Sequence, residues 1–153
     1  MDVWGMASWS SWVGLEEARL VVPRLPGVYV ARSKLEDRVV YVGCAEERAG
    51  TRSRPPQGMR GRIAKYTSGL ASGLGEAAFD RALADPSWLR ERLAEVEAGR
   101  PMRAAHWAKA AIARAELELC WAVTSTGDEA VELEERVIAA LHPFLWNRRG
   151  PRS

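Results

Sequence analysis

Two short runs rich in β-branched and aromatic residues, "GVYVA" (27–31) and "RVVYVG" (38–43), flank the polar connector "RSKLED". Runs of this kind, bounded by polar residues, favour extended backbone, and so short a connector predicts an antiparallel hairpin. Each run carries a tyrosine, Tyr29 in the first and Tyr41 in the second, with a glycine close by. Taken alone, the two tyrosines could fill a core or line a site. Further along, "ELELCWAVT" alternates, with Leu117, Leu119, Trp121 and Val123 on one side and Glu116, Glu118, Cys120 and Ala122 on the other. That period of two predicts a third, half-buried strand.

Helical spacing accounts for much of the rest. "GLEEARLVV" predicts a short helix that stops before Pro23, because a residue preceding proline is disfavoured in the helical region. In "MRGRIAKYTSGL", Met59, Ile63, Tyr66 and Leu70 recur on one face. Gly61 weakens that helix by about 1 kcal/mol relative to alanine. "DPSWLRERLAEVEAG" offers Asp85 as a cap, Pro86 at the first helical position, a Leu89/Leu93/Val96 stripe and Gly99 as a stop. "MRAAHWAKAAIARA" is alanine-rich and helical, and "VELEERVIAAL" is an amphipathic helix ending near Pro143. Between hairpin and helices, "CAEERAGTRSRPPQG" has the Arg, Gly and Pro content of a loop. The chain is therefore expected to be α/β (α+β), a small three-stranded antiparallel sheet flanked by helices. Residues 1–25 form an extension in which Trp4, Trp9 and Trp12 are anchors over a core or subunit contact, or surfaces on which bases stack.

A chain of 153 residues suits one domain with a core of its own. Cys44 and Cys120 have neither a close partner nor metal-ligand spacing, which predicts free thiols in a reducing compartment. No apolar run approaches the roughly 20 residues that span a bilayer, and no secretory signal stands at the N-terminus. A cytoplasmic location and no membrane partner are expected. The net charge of +2 hides an uneven distribution. Bases outnumber acids over 32–65 and again from Arg136 onward, whereas acids dominate 67–135. Basic segments of this kind suit a polyanion.

Most of the sequence obeys hydrophobic patterning, so departures from it are informative. At about 100° per residue, the last helix has an apolar arc of Ala130, Leu133, Val137, Ile138 and Leu141. Glu134 falls inside that arc, and Glu132 and Glu135 fall outside it. A carboxylate on a core-facing stripe is costly unless an arginine or a bound cation compensates it. Arg62, one turn before Tyr66 and on the same face, is an available arginine. One reading is thus a Glu134–Arg62 ion pair that only fixes packing.

In order, the tyrosine of "GVY", the tyrosine of "YVG", the helix with "RIAKY", the helix with "LEERVIAALHP" and a closing Asn147 resemble the GIY-YIG nuclease family. The resemblance spans 27–147 and implies a three-stranded antiparallel sheet flanked by helices. It also implies hydrolysis of a nucleic-acid phosphodiester with a divalent cation, Mg²⁺ or Mn²⁺. By this resemblance Tyr29 and Tyr41 match the family's two tyrosines, Arg62 its helix arginine, and Tyr66 the histidine or tyrosine four residues on. Glu134 matches the metal-binding glutamate and Asn147 the closing asparagine. The nuclease-like domain would occupy 26–153, with a helical insertion around 68–114 beyond the minimal module. Counting back from Asn147, as in the excision-repair members, selects Glu135 instead; helix phase selects Glu134.

These residue types suit phosphodiester cleavage. A cation on Glu134 would polarise the phosphate and stabilise the leaving oxygen, and the Arg62 guanidinium would offset developing negative charge. A tyrosine, with an ordinary pKa of ~10, needs a neighbouring cation before it can accept a proton from water; Tyr29 is the favoured base. Asn147 would hold a tyrosine or phosphate oxygen, and Arg52, Arg54, Arg60, Arg148 and Arg149 would contact phosphates. The expected partner is DNA, with RNA and a homodimer left open. His106 and His142 have no companions at metal spacing and read as structural. The rival readings are a non-catalytic nucleic-acid-binding module on the same fold and a protein-interaction domain.

Overall fold

The computed structural model describes residues 2–46, 55–68 and 72–148. In chain order its elements are β1 (Val13–Gly14), α1 (Leu15–Val21), β2 (Gly27–Ser33), β3 (Arg38–Ala45), α2 (Gly58–Thr67), α3 (Gly73–Leu83), α4 (Pro86–Glu97), α5 (Ala104–Arg114), β4 (Leu117–Val123) and α6 (Gly127–Leu141). The strands form one antiparallel sheet in the order β1-β4-β2-β3. The chain is mixed α/β, as its patterning implies. No helix among the described residues is long and apolar enough to cross a membrane.

The two apolar runs pair as β2 and β3, with Tyr29 opposite Gly43 and Ala31 opposite Tyr41. Successive residues of a strand face opposite sides, and helices cover both sides here. Tyr29 and Ala31 pack with Met59, Ile63 and Tyr66 of α2, Leu15 and Ala18 of α1, Leu74 of α3 and Ile112 of α5. Val28, Val30 and Val42 pack on the other side against Ala130, Leu133, Val137 and Ile138 of α6. The predicted apolar arc of α6 is thus its buried face. Its start is fixed by Thr126, whose hydroxyl accepts from the Glu129 N–H at 3.2 Å, while the Glu129 carboxylate accepts from the Ser125 N–H at 2.9 Å. The first bond satisfies a donor the first helical turn leaves open, and the second ties the residue before the cap to that turn.

Three expectations need correction. The strand "ELELCWAV" is not half-buried. Leu117 and Leu119 lie in the α2-side core, and Cys120 and Ala122 in the α6-side core. Small, weakly apolar residues on the second side read as solvent-facing in the alternation, yet they are what lets α6 sit close.

The sheet has four strands rather than three, because the N-terminal stretch joins it. β1 pairs with β4 through Val13 opposite Leu119, and the Ser10 N–H donates to the Trp121 carbonyl at 2.8 Å. Trp9 and Trp12 cover the α6-side core. Trp4 meets both edge-on at 5.7 and 5.6 Å, and the Arg32 guanidinium lies 4.4 Å over the Trp12 ring. Trp9 and Trp12 are thus anchored on that core, and residues 2–25 pack against the sheet rather than standing apart from it.

Finally, the Leu89/Leu93/Val96 stripe of α4 is exposed, at 36%, 54% and 47%. Trp88 alone docks the helix, edge-on to Phe79 at 6.2 Å and to Trp107 at 6.0 Å. The cap at Asp85 and the stop at Gly99 are as expected: the Asp85 carboxylate accepts from the Ser87 N–H at 3.0 Å, and Gly99 takes φ +73°.

β3 is an edge strand, and the C-terminal segment lies along it. The Trp146 N–H donates to the Val40 carbonyl. The Asn147 carboxamide donates to the Val42 carbonyl at 2.7 Å and accepts from the Val42 N–H at 3.0 Å. Two residues thereby satisfy edge groups that would otherwise invite pairing with another chain. The core assignment makes a direct prediction. Ile63→Ala should cost about 2–5 kcal/mol in urea denaturation, whereas Leu35→Ala in the exposed hairpin turn should stay within ~0.5 kcal/mol. Equal costs would contradict it.

Candidate active site

Tyr29, Tyr41 and Gly43 share the α2 side of the hairpin because they are related by even steps along paired strands. The absence of a side chain at Gly43 is what lets Tyr29 lie across it: a Cβ there would stand 2.3 Å from the Tyr29 hydroxyl. α2 places Tyr66 edge-on to Tyr29, with ring centroids 6.0 Å apart and the two hydroxyls hydrogen-bonded. Arg62 and Lys65, on the turn leading to Tyr66, face the same space. α3 begins beside them. A Cβ at Gly73 would lie 2.7 Å from the Tyr41 hydroxyl, so that hydroxyl reaches the helix's first residue.

Cys44 follows Gly43 and so points the other way, towards α6. Its thiol donates to Oε2 of Glu134 at 3.2 Å. The site therefore wraps the open edge of β3, drawing tyrosines and cations from one side and a carboxylate from the other. Together these groups line a cavity of about 220 Å³ bounded by Tyr29, Tyr41, Gly43, Cys44, Arg62, Lys65, Tyr66, Ser72, Gly73 and Glu134.

Burial dominates the electrostatics. Tyr29, 1% exposed, has its pKa pushed well above the ordinary value by burial, and then by the neighbouring Tyr66 and Tyr41. Tyr66 is raised likewise, first by burial and then by Tyr41. Tyr41, only half-buried, is raised by burial and by the Glu134 carboxylate. Burial and Glu134 push the Cys44 thiol up to about 12. Against all four, the Arg62 guanidinium acts in the opposite direction. One arginine is thus coupled electrostatically to every acidic proton in the cavity.

Of the residues expected at a site, Tyr29, Tyr41, Arg62, Tyr66 and Glu134 converge. Glu134 lines the cavity and Glu135 does not, in agreement with helix phase. Glu134 and Arg62 line the same cavity. Asn147 is displaced from its expected role. Both ends of its carboxamide are engaged by Val42, so it holds the edge of β3 rather than a reacting oxygen.

Arg60 donates from Nε to the Val22 carbonyl at 2.9 Å and ties α2 to the end of α1. Arg148 pairs with Glu76 at 3.3 Å and Asp80 at 3.7 Å on α3. Each thus already meets an acceptor of the protein, through one nitrogen of its guanidinium, and the Arg148 side chain is 69% exposed. Arg52, Arg54 and Arg149 lie outside the described residues. His106 and His142 are exposed and away from the cavity.

Sequence reasoning missed Lys65, Cys44, Ser72 and Gly73. Lys65 had a usable signal, since it lies between Arg62 and Tyr66 on one turn. Cys44 had one too, being the residue after Gly43 and so obliged to face α6. Ser72 and Gly73 had none, because nothing local says where α3 begins in space.

The carboxylate supply bears on what ion could bind. Among the described residues no group of three or more His, Cys, Asp or Glu side chains is gathered for a metal, and Glu134 is the carboxylate on the cavity wall. A single carboxylate fits Mg²⁺ or Mn²⁺, which keep much of their water and share it with substrate phosphates. No family model, no curated protein and no solved structure matches this chain.

Two predictions follow from the tyrosine cluster. The three tyrosines, Cys44 and Cys120 are all raised above ordinary values of 10.0 and 9.0. Below those values both folded and unfolded chains keep the protons; above them the unfolded chain releases them first, so stability falls as pH rises. Urea midpoints should be level from pH 7 to 8.5 and drop steadily beyond 9.5; a midpoint constant to pH 10.5 would sink the assignment. Separately, Gly43→Ala must push the Tyr29 ring aside and should cost about 1–3 kcal/mol, read by the same melts. A variant as stable as the parent would mean that the close approach is not real.

Proposed function

We propose that this chain is a divalent-metal-dependent endonuclease of the GIY-YIG type that hydrolyses DNA phosphodiester bonds, acting in the cytoplasm. One observation carries the reading. Five side chains resembling that family's motif, from β2, β3, α2 and α6 and as far apart in sequence as Tyr29 and Glu134, line one 220 Å³ cavity. Chance patterning could supply any one of them. It has no reason to bring all five together.

Glu134 would hold the ion, Mg²⁺ or Mn²⁺, which when bound supplies Lewis-acid polarisation of the phosphate and charge relief for the leaving oxygen. Arg62 is positioned to neutralise negative charge gathering on the phosphate oxygens. Lys65, beside it, adds a second positive charge at the same wall. The base is better assigned to Tyr41 than to Tyr29, the residue the sequence favours. Tyr29 is 1% exposed and burial pushes its pKa well up, so it ionises less readily than Tyr41; the hydroxyls of both meet Tyr66. Tyr41 is half-open, adjoins Arg62, and is raised partly by the Glu134 charge, which a cation at Glu134 would cancel. Tyr29 and Tyr66 then serve to hold the wall on which Tyr41 and Arg62 stand.

Supercoiled plasmid with Mg²⁺ tests the reading. The parent protein should nick or linearise it; Glu134→Ala and Arg62→Ala should each lose at least about 100-fold, as removal of a transition-state contact does. Glu135→Ala should remain near parental activity. Tyr41→Phe should fall at least as far as Glu134→Ala, and Tyr29→Phe less far. Plasmid bound but uncut across metals and substrates would contradict the enzyme and favour a binding module. Because the base must first lose a proton held by burial, log rate should climb between pH 7 and 9 with a slope near one; a flat profile would remove Tyr41 from the role.

A further inference from the structure

We infer that α4 is a self-association surface, on which a second copy of this chain docks its own α4 antiparallel about a two-fold axis through Leu93. The inference does not depend on the nuclease reading. It starts from the exposed Leu89, Leu93 and Val96, which follow the i, i+4, i+7 spacing of a single seam. They belong to a helix that one tryptophan already docks, so the stripe has no task within the domain.

What identifies the occupant is the charge along one flank. At about 100° per residue, Arg90 and Glu97 stand side by side on the same edge of the stripe, near its two ends. Antiparallel pairing centred on Leu93 sets Arg90 of one copy against Glu97 of the other, and symmetry makes the contact twice. The seam then closes with Leu93 on Leu93 and Leu89 beside Val96. Among the described residues neither Arg90 nor Glu97 makes an ion pair within the chain. The charges nearer the docked side are already engaged: Arg92 lies 5.0 Å over the Trp88 ring and pairs with Glu91 at 3.5 Å and Glu95 at 3.4 Å. The helix is thus self-complementary on its open flank and ion-paired within itself on the other. Parallel pairing would carry this flank of the second copy to the far side of the seam, leaving Arg90 and Glu97 without each other as partners. A contact of one short helix is at the small end of specific interfaces, and the association is accordingly weak and concentration-dependent.

Charge exchange provides the test. Sedimentation equilibrium on the full chain, across a micromolar to near-millimolar series, should show the parent's mass doubling at the upper end. Arg90→Glu creates two Glu–Glu contacts and Glu97→Arg two Arg–Arg contacts, so each variant alone should stay monomeric. An equimolar mixture of the two restores both pairs and should return the doubled mass as a heterodimer, which also shows that each variant is folded. A parent that stays monomeric throughout overturns the inference. So do single variants that dimerise as the parent does, which would place the contact elsewhere, and a mixture that fails to associate.

Discussion

The structure depends on β2 being paired on both sides and covered on both faces. With β3 along one edge and β4 along the other, its backbone groups are satisfied by the sheet, and alternate side chains must enter separate cores. Val28 and Val30 commit one face to α6, and Tyr29 and Ala31 commit the other to α1, α2, α3 and α5. Once that division is made, the helices have little freedom. α6 must present its Ala130, Leu133, Val137 arc to the valines, and α2 must present Met59, Ile63 and Tyr66 to the tyrosine face.

The candidate site is a consequence of where this division ends. At the open edge of β3 the two cores come within reach of each other. Consecutive residues there, Gly43 and Cys44, belong to opposite faces. Tyrosines and Arg62 arrive from one side and Glu134 from the other, meeting across a single strand. A carboxylate that would be expensive inside a core is tolerated because it sits at this rim, where the Cys44 thiol donates to it. Closing the rest of the edge falls to Trp146 and Asn147. Asn147 thereby holds the β3 backbone at Val42, next to Gly43 of the cavity wall.

Much of this was legible in the chain because local chemistry and tertiary demand agree. The hairpin, the α2 stripe, the capping of α4 and the phase of α6 all follow from short-range patterns. Glu134 was legible for the opposite reason, as a violation of pattern. What could not be read is where tertiary geometry overrides the local signal. The α4 stripe looked like a core face, but Trp88, about 100° around the helix, docks it. Cys120 and Ala122 looked solvent-facing because small residues carry little hydrophobic signal. That Arg60 meets Val22, and Arg148 meets Glu76 and Asp80, is likewise invisible in the sequence. The burial of Tyr29, which raises its pKa, is a property of the assembled site that no local pattern shows.

The central claim is that one cation and one phosphate share the cavity at the edge of β3. Crystals grown with Mn²⁺ and a short DNA duplex would test it through the anomalous signal of the metal. One strong peak is expected against the Glu134 carboxylate, with a backbone phosphate between it and the Arg62 guanidinium. A peak at Glu135 or elsewhere on the surface, or a phosphate bound away from the tyrosines, would contradict it.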